Sequence, residues 1–451
     1  MSLHATPHSI ALSAGKICLA LLCLAPLARA QDAIRPSLAG ESAAEARRQS
    51  IDKIPYNLQL GPIKLRFSAT MGFEYNDNIN LAEDRTALLA SPTGPILVTT
   101  EQQDDFIFRP QFNVNALWPI TQLNTLKLDL GIGYAFYLDH SNYNTNSILI
   151  NPGSQLAFDI FVGDFRINIH DRFSLEQDPV SELSLSNVAD YGRFQNTAGV
   201  AVLWDLNQAV ATLGYDHYNF IATNSLFEYL DRNADMVTGS IGFTPNATMT
   251  VGLEGSFVHT YYDQNILNDS DTLSGGAFIE TQVTNYVRLR VAGGYQVINF
   301  DNTGLVNDAH DLNDYYVNAL LTHRVSSVLS QSLSVGHETQ LGVNSNYVRL
   351  NYARHTATWN VLFHTLLSTE LFYEDADDSG GSFVPLPGVP FAFNPFVAEH
   401  VHRYGGALTL GYQLTQHVTL GLRYQYTQKD SDQPLRDYRQ NRIAIDGTYS
   451  F

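Results

Sequence analysis

Few of the reactive residues in this sequence fall at spacings that chemistry uses. Gly336, His337, Glu338, Thr339, Gln340 is the nearest approach to the H-E-x-x-H helix of zinc hydrolases, and it lacks the second histidine. Its neighbours alternate as in a strand, so His337 and Glu338 point to opposite faces and cannot work as an acid–base pair. His170 with Asp171 and His355 with Thr356 share that geometry. There is no G-x-S-x-G elbow and no C-x-x-C-H haem attachment. The chain is therefore expected not to be an enzyme, with no catalytic residues, no metal and no cofactor.

The reactive residues that do follow a pattern are basic. Lys64, Arg66, Lys127, Arg166, Arg288, Arg290, Arg349, Arg423 and Arg442 recur inside alternating segments, on the face opposite the apolar one. If those faces turn toward a common water-filled lumen, the basic groups would attract anions and pair with Asp129, Glu254 and Asp446. The same pattern also serves a barrel wall that needs inward polar networks to hold its shape.

The segments that must position these residues have a period of two. Ile63, Leu65, Phe67, Ala69, Met71, Phe73 and Tyr75 share one face of the first; Leu126, Leu128, Leu130, Ile132, Tyr134, Phe136 and Leu138 share one face of another. Thirteen residues at that regularity exceed the usual globular strand and match one tilted across a bilayer. Eighteen such segments are expected, from 63–75 and 105–117 to 417–428 and 439–451, sixteen being the next even count. Short turns such as Thr121–Asn124 and Gly163–Asp164 alternate with long connections such as 76–104, 178–190 and 377–399; the short one near Asn344–Asn346 is an exception. One tidy and one shaggy end is the plan of an outer-membrane barrel: tight periplasmic turns, longer outward loops, and both termini on the periplasmic side. The fold class is all-β, a transmembrane antiparallel β-barrel.

The amino terminus agrees. Residues 1–30 hold Lys16, the apolar run Ile17–Leu27, and Ala28 and Ala30 around Arg29, the pattern of a cleavable signal peptide. The run is broken by Pro26 and is shorter than the roughly 20 residues needed to cross a bilayer. Cleavage before Gln31 removes Cys18 and Cys23, so disulfide and thiol chemistry are excluded for the mature chain. Residues 31–56 read as a loose periplasmic leader and 57–451 as the barrel, located in the bacterial outer membrane.

The export signal also takes Lys16 and Arg29, leaving 24 basic against 45 acidic residues, a net charge of −21. That balance excludes nucleic-acid binding. Acids such as Asp104, Asp105, Asp308 and Asp378 fall in or beside outward loops, where they either form a solvated surface or bind cations that bridge lipopolysaccharide. Trp118, Trp204 and Trp359 all fall near short-turn ends, as expected of an interfacial belt touching outer-membrane lipid. Segment 379–397 contains Phe383, Pro385, Pro387, Pro390 and Phe391, too apolar for an idle loop; it is expected to form a constriction or plug, cover the mouth, or dock a partner.

Two short strings carry a resemblance. Tyr75, Asn76, Asp77, Asn78, Ile79 at the end of the first strand, within a strand plan running from Leu58 to Phe451, resembles the opening of a broad family of porin-like outer-membrane β-barrel proteins. The terminal Tyr449 and Phe451 look like the signal read by the barrel assembly machinery. The resemblance implies a porin-like channel for passive passage of small hydrophilic solutes. Some members are linked to exopolysaccharide or capsule export, which implies as an alternative a polymer-export barrel with an export or periplasmic partner. A plugged structural barrel that displays loops or sheathes a partner is the third reading.

Overall fold

A computed structural model describes residues 56–89, 94–121, 123–145, 147–308, 310–362, 364–381 and 396–451. The expected signal and the leader, apart from Tyr56, lie outside these described residues, as do Phe383, Pro385, Pro387, Pro390 and Phe391.

Among the described residues, eighteen long strands form one antiparallel ring. The first six are β1 (Ile63–Asn76), β2 (Asp105–Pro119), β3 (Asn124–Gly133, continued by Phe136–Tyr137), β4 (Leu149–Val162), β5 (Phe165–Glu176) and β6 (Arg193–Asp205). The next six are β7 (Ala209–Ala222), β8 (Arg232–Asn246), β9 (Met249–Tyr262), β10 (Ser270–Thr284), β11 (Val287–Phe300) and β12 (Leu312–Arg324). The last are β13 (Leu329–Leu341), β14 (Tyr347–Leu362), β15 (Thr365–Asp378), β16 (His400–Gln413), β17 (Val418–Ser431) and β18 (Tyr438–Ser450). Each pairs with its neighbours in sequence, and β18 pairs with β1 from Ser68↔Ser450 to Asn76↔Arg442. The closure leaves the sheet without a free edge. A short hairpin, Arg85–Leu89 with Ile96–Thr100, stands in the first long loop and exposes Leu88 and Leu97.

The alternation read from sequence becomes two faces. Outward residues form a broad apolar band in which Leu213, Leu253 and Ile445 are at least 60% exposed. A water-soluble monomer does not expose apolar surface on that scale, whereas lipid requires it. Trp118, Trp204 and Trp359 stand on the same outer face close to the short turns, Trp204 stacked on Phe165 at 5.4 Å between ring centroids. Toward the long-loop end the outer face carries the cross-strand pairs Tyr295 with Tyr315 and Tyr373 with Tyr404. Of the other tyrosines near that end, Tyr424 is exposed on the outer face, while Tyr137 and Tyr262 turn inward.

The string after β1 proves to be a seam. Asn78 is fully buried; its side chain accepts from the Ala82 amide at 3.0 Å and donates to the carbonyls of Ala82 and Arg439 at 2.8 and 2.9 Å. Asp77 accepts from the backbone and side-chain nitrogens of Asn441 at 2.6 and 2.7 Å. Asn and Asp side chains thus continue the β1–β18 junction where the backbone ladder ends, which explains the string without a ligand.

Candidate functional site

The inward face holds most of the basic residues expected there. Arg66, Lys127, Arg166, Arg290, Arg423 and Arg442 project into the lumen with Asp129, Glu254 and Asp446. Lys64 and Arg288 share that parity at the short-turn mouth, where both are exposed. Arg349 does not belong with them. Its neighbours Val348 and Leu350 are the buried, inward residues, and Arg349 stands on the outer face beside Asp377, 3.7 Å from Nη2 to Oδ2.

Local acids and amides organise the wall. Asp159 receives Arg166 at 3.2 Å and Lys127 at 3.8 Å, and Asp129 accepts from Asn115 and Gln155 at 2.6 and 3.2 Å. Glu254 pairs with Arg290 at 3.4 Å and accepts from the Tyr316 hydroxyl at 3.1 Å. The Tyr316 hydroxyl reaches over Gly276, where an added Cβ would collide with its oxygen. On β16–β18 and β1 the register sets a file of cations: Arg403 highest, then Arg442 level with Asn76 and Gln425, then Arg423 level with Ala444, then Arg66 and Lys64 toward the short-turn end.

The feature that sequence reading missed is the connection 177–192 between β5 and β6. It crosses the lumen to strands seven to nine places away around an eighteen-strand ring, nearly the opposite wall. Its Leu183 is buried against Val348, Leu350, Ala376 and Val401 of β14–β16. A 3-10 turn, Pro179–Ser181, is started by Asp178, whose carboxylate accepts from the Val180 amide at 3.1 Å. Asp178 also takes Arg442 Nη1 at 2.7 Å, while Arg442 donates Nε and Nη2 to Glu74 Oε1 at 3.1 and 2.8 Å. Arg403 donates to the Val180 carbonyl at 2.8 Å while held by Glu374 at 2.6 Å. From the near wall Arg193 donates to the carbonyls of Asp178 and Tyr191 and to Ser181 Oγ, at 3.2, 3.1 and 2.9 Å. Farther along, Ser184 donates to Asp378, Ser186 donates to the Arg436 carbonyl, and Asn187 donates its side chain to the Leu435 carbonyl. Asn187 adopts φ 59°, a left-handed conformation that asparagine tolerates.

A crossing segment divides the lumen. The space left beside it is lined by Ser181 and Glu182 on the loop and by Arg193, Arg232, Gln296, Tyr316 and Glu338 on the wall. Above it, the other long loops fold inward: Phe227, Tyr229, Leu267, Val306, Val343 and Phe396 pack with Leu185 and Tyr191 into an apolar cap. The short connection 342–346 is buried within this assembly. Several loop acids are internal staples. Asp105 accepts three backbone amides, of Leu138, Asp139 and His140, and Asp308 accepts the Asn346 amide at 2.9 Å. Glu399 joins Lys429, Arg436 and Ser431 at 2.9, 2.6 and 2.6 Å.

The loop acids carry a pH dependence. Burial pushes the Asp178 carboxyl up, but the Arg442 and Arg109 guanidiniums outweigh it and hold it below its ordinary 3.8. Burial opposes the charge on Glu399 in the same way, and Lys429 and Arg436 hold it below 4.5. A carboxyl depressed in the folded state contributes stability above its ordinary value and loses it as pH falls through the folded one. The Asp178 part of the clamp is therefore complete above pH 3.8 and weakens as the pH falls below that value. Limited proteolysis of residues 177–192 is expected to be slow at neutral pH and faster with an acid-active protease near pH 3, while the strands stay protected.

A closed eighteen-strand barrel with a lipid-facing band and a polar interior is a transmembrane barrel of the bacterial outer-membrane type. No family model matches the sequence, and no curated protein does. Among solved structures it is similar to a BenF-like porin from Pseudomonas fluorescens, at 11% identity and a TM-score of 0.48, covering 86% of this chain and 99% of that one. It is similar to the outer membrane protein opdK of Pseudomonas aeruginosa at 10% identity and 0.46, covering 86% and 99%. OccK2 (OpdF) of the same organism, in complex with glucuronate, matches at 12% and 0.45, covering 86% and 98%.

Proposed function

We propose that this protein is a porin-like channel for small hydrophilic solutes, with anions favoured, and that 177–192 is its constriction. The observation that carries the reading is the crossing loop, clamped at both walls beside a file of cations that runs from Arg403 to Lys64. Binding groups distributed along a lumen let a solute enter and move on, provided no single group holds it too strongly. A polymer-export barrel needs a wide, uninterrupted bore, and a loop buried against the far wall is the wrong architecture for that. The apolar cap is the feature that favours a plugged barrel, so the test must separate the two.

Purified protein in planar bilayers under a KCl gradient is expected to give stepwise openings whose reversal potential reports anion preference. Silence from the intact protein, followed by conductance once the crossing loop is shortened, would instead identify a plug. Silence from both would sink the channel reading.

A further inference from the structure

The outer face at the long-loop end of β15 and β16 holds a cluster unconnected with the lumen. His400 and His402 alternate onto one face of β16, and the register sets Asp377 opposite His400 and Asp375 opposite His402. The His400 Nδ1 lies 2.7 Å from Asp377 Oδ1, and a carboxylate there can only accept, so this nitrogen carries the proton. The lone pair of a neutral His400 is then on Nε2, which faces His402 Nε2 at 3.2 Å and Asp375 Oδ1 at 3.5 Å. His402 turns its other nitrogen to Asp375 Oδ1 at 3.1 Å, with the Tyr373 hydroxyl 3.3 Å away. Asp375 Oδ1 makes no hydrogen bond of its own.

We infer that Asp375, His400 and His402 form a binding site for a divalent transition-metal ion of the zinc class. Ligand atoms of the three residues all lie within 4.8 Å of one another. Three ligands about 2.0–2.2 Å from a tetrahedral ion stand roughly 3.4 Å apart, and His400 Nε2 stands 3.2 Å from His402 Nε2 and 3.5 Å from Asp375 Oδ1. Two imidazoles with one carboxylate suit zinc, nickel or copper better than calcium or magnesium, which prefer oxygen. Asp377 supplies the outer carboxylate that fixes the ring of a metal-binding histidine. The histidine side chains are 41% and 46% exposed, which leaves a coordination position open to water. The site stands one cross-strand step beyond Tyr373 and Tyr404, so an ion there would join β15 to β16 outside the conducting path.

The test is calorimetric titration of Zn²⁺ into tag-free, detergent-solubilised barrel, with Co²⁺ absorption as a spectroscopic check. Wild type is expected to bind one equivalent and to give the visible bands of a low-symmetry cobalt site. His400→Gln/His402→Gln should abolish both signals, and Asp377→Asn should weaken binding by about 10–100-fold through the lost outer carboxylate. All variants should keep heat-modifiable migration and wild-type conductance, which shows the barrel intact; if the double variant fails to fold, His402→Gln alone serves. The inference is overturned if wild type binds no zinc, or if the histidine variants bind as wild type does, placing the metal on other surface pairs such as His259 with Asp271.

Discussion

Excising Leu183–Asp190 and bridging the gap with a short Gly-Ser linker is expected to raise single-channel conductance several-fold and leave the barrel folded. The strands that flank the loop, β5 and β6, pair with each other along their length, so the excision removes no ladder bond. What it removes is the segment whose Leu183 is buried on β14–β16 and whose Ser184, Ser186 and Asn187 side chains reach the strands and loops of the far wall. A gentler version tests the clamp. Arg442→Ala removes the cation that Glu74 and Asp178 share and leaves Arg109, 3.4 Å from Glu74, as the nearby guanidinium. Breaking a buried ion pair on one side costs about 3–5 kcal/mol, which is roughly a hundredfold or more in the balance between docked and undocked loop. Arg193, Arg403 and Leu183 still hold, so the variant should show added current noise and brief larger openings rather than a steadily wide pore. If the excised protein conducts like wild type, 177–192 is not the constriction.

Much of this architecture was legible because a lipid-bounded barrel writes its geometry into alternate residues. Each of the eighteen expected strands appears within a few residues of its place, since an error of one residue would turn a lipid face to water. The same rule misleads at the rim. Val348 and Leu350 are apolar because Leu183 packs on them from within the lumen, which reverses the usual meaning of polarity there and sends Arg349 outward. The crossing loop was hard to see for a related reason: its partners, Arg403, Leu435 and Arg442, are more than two hundred residues away and are brought near only by closure. A signal did exist. Val180, Leu183 and Leu185 place apolar residues in 178–190, the same criterion that marks 379–397. The H-x-H of His400 and His402 could be read as one face of a strand, but Asp375 joins it only through the β15–β16 register.

Reversing two charges low in the lumen should change which ion passes. Arg66 and Arg423 are suited to this because they stand below Arg442 in the file, Arg66 donating to Ser450 at 3.4 Å and Arg423 to Gln425 at 2.8 Å. At about 5 Å a unit charge acts on a passing ion with about 0.8 kcal/mol in a water-like medium, and 0.1 M salt leaves somewhat more than half of that. Each charge attracts anions and repels cations, so neutralising both arginines as Arg66→Gln/Arg423→Gln should lower the anion-to-cation permeability ratio by roughly tenfold or more at 0.1 M. Charge reversal to glutamate should double the free-energy change and invert the sign of the reversal potential. At 1 M, where the screening length is about 3 Å, the glutamine effect should shrink to roughly threefold. That salt dependence is the discriminating observation. A selectivity set by shape would not respond to it, and one set by Asp178 and Glu182 at the constriction would survive the wall substitutions. An unchanged ratio at low salt would therefore move the selectivity determinant from the arginine file to the loop.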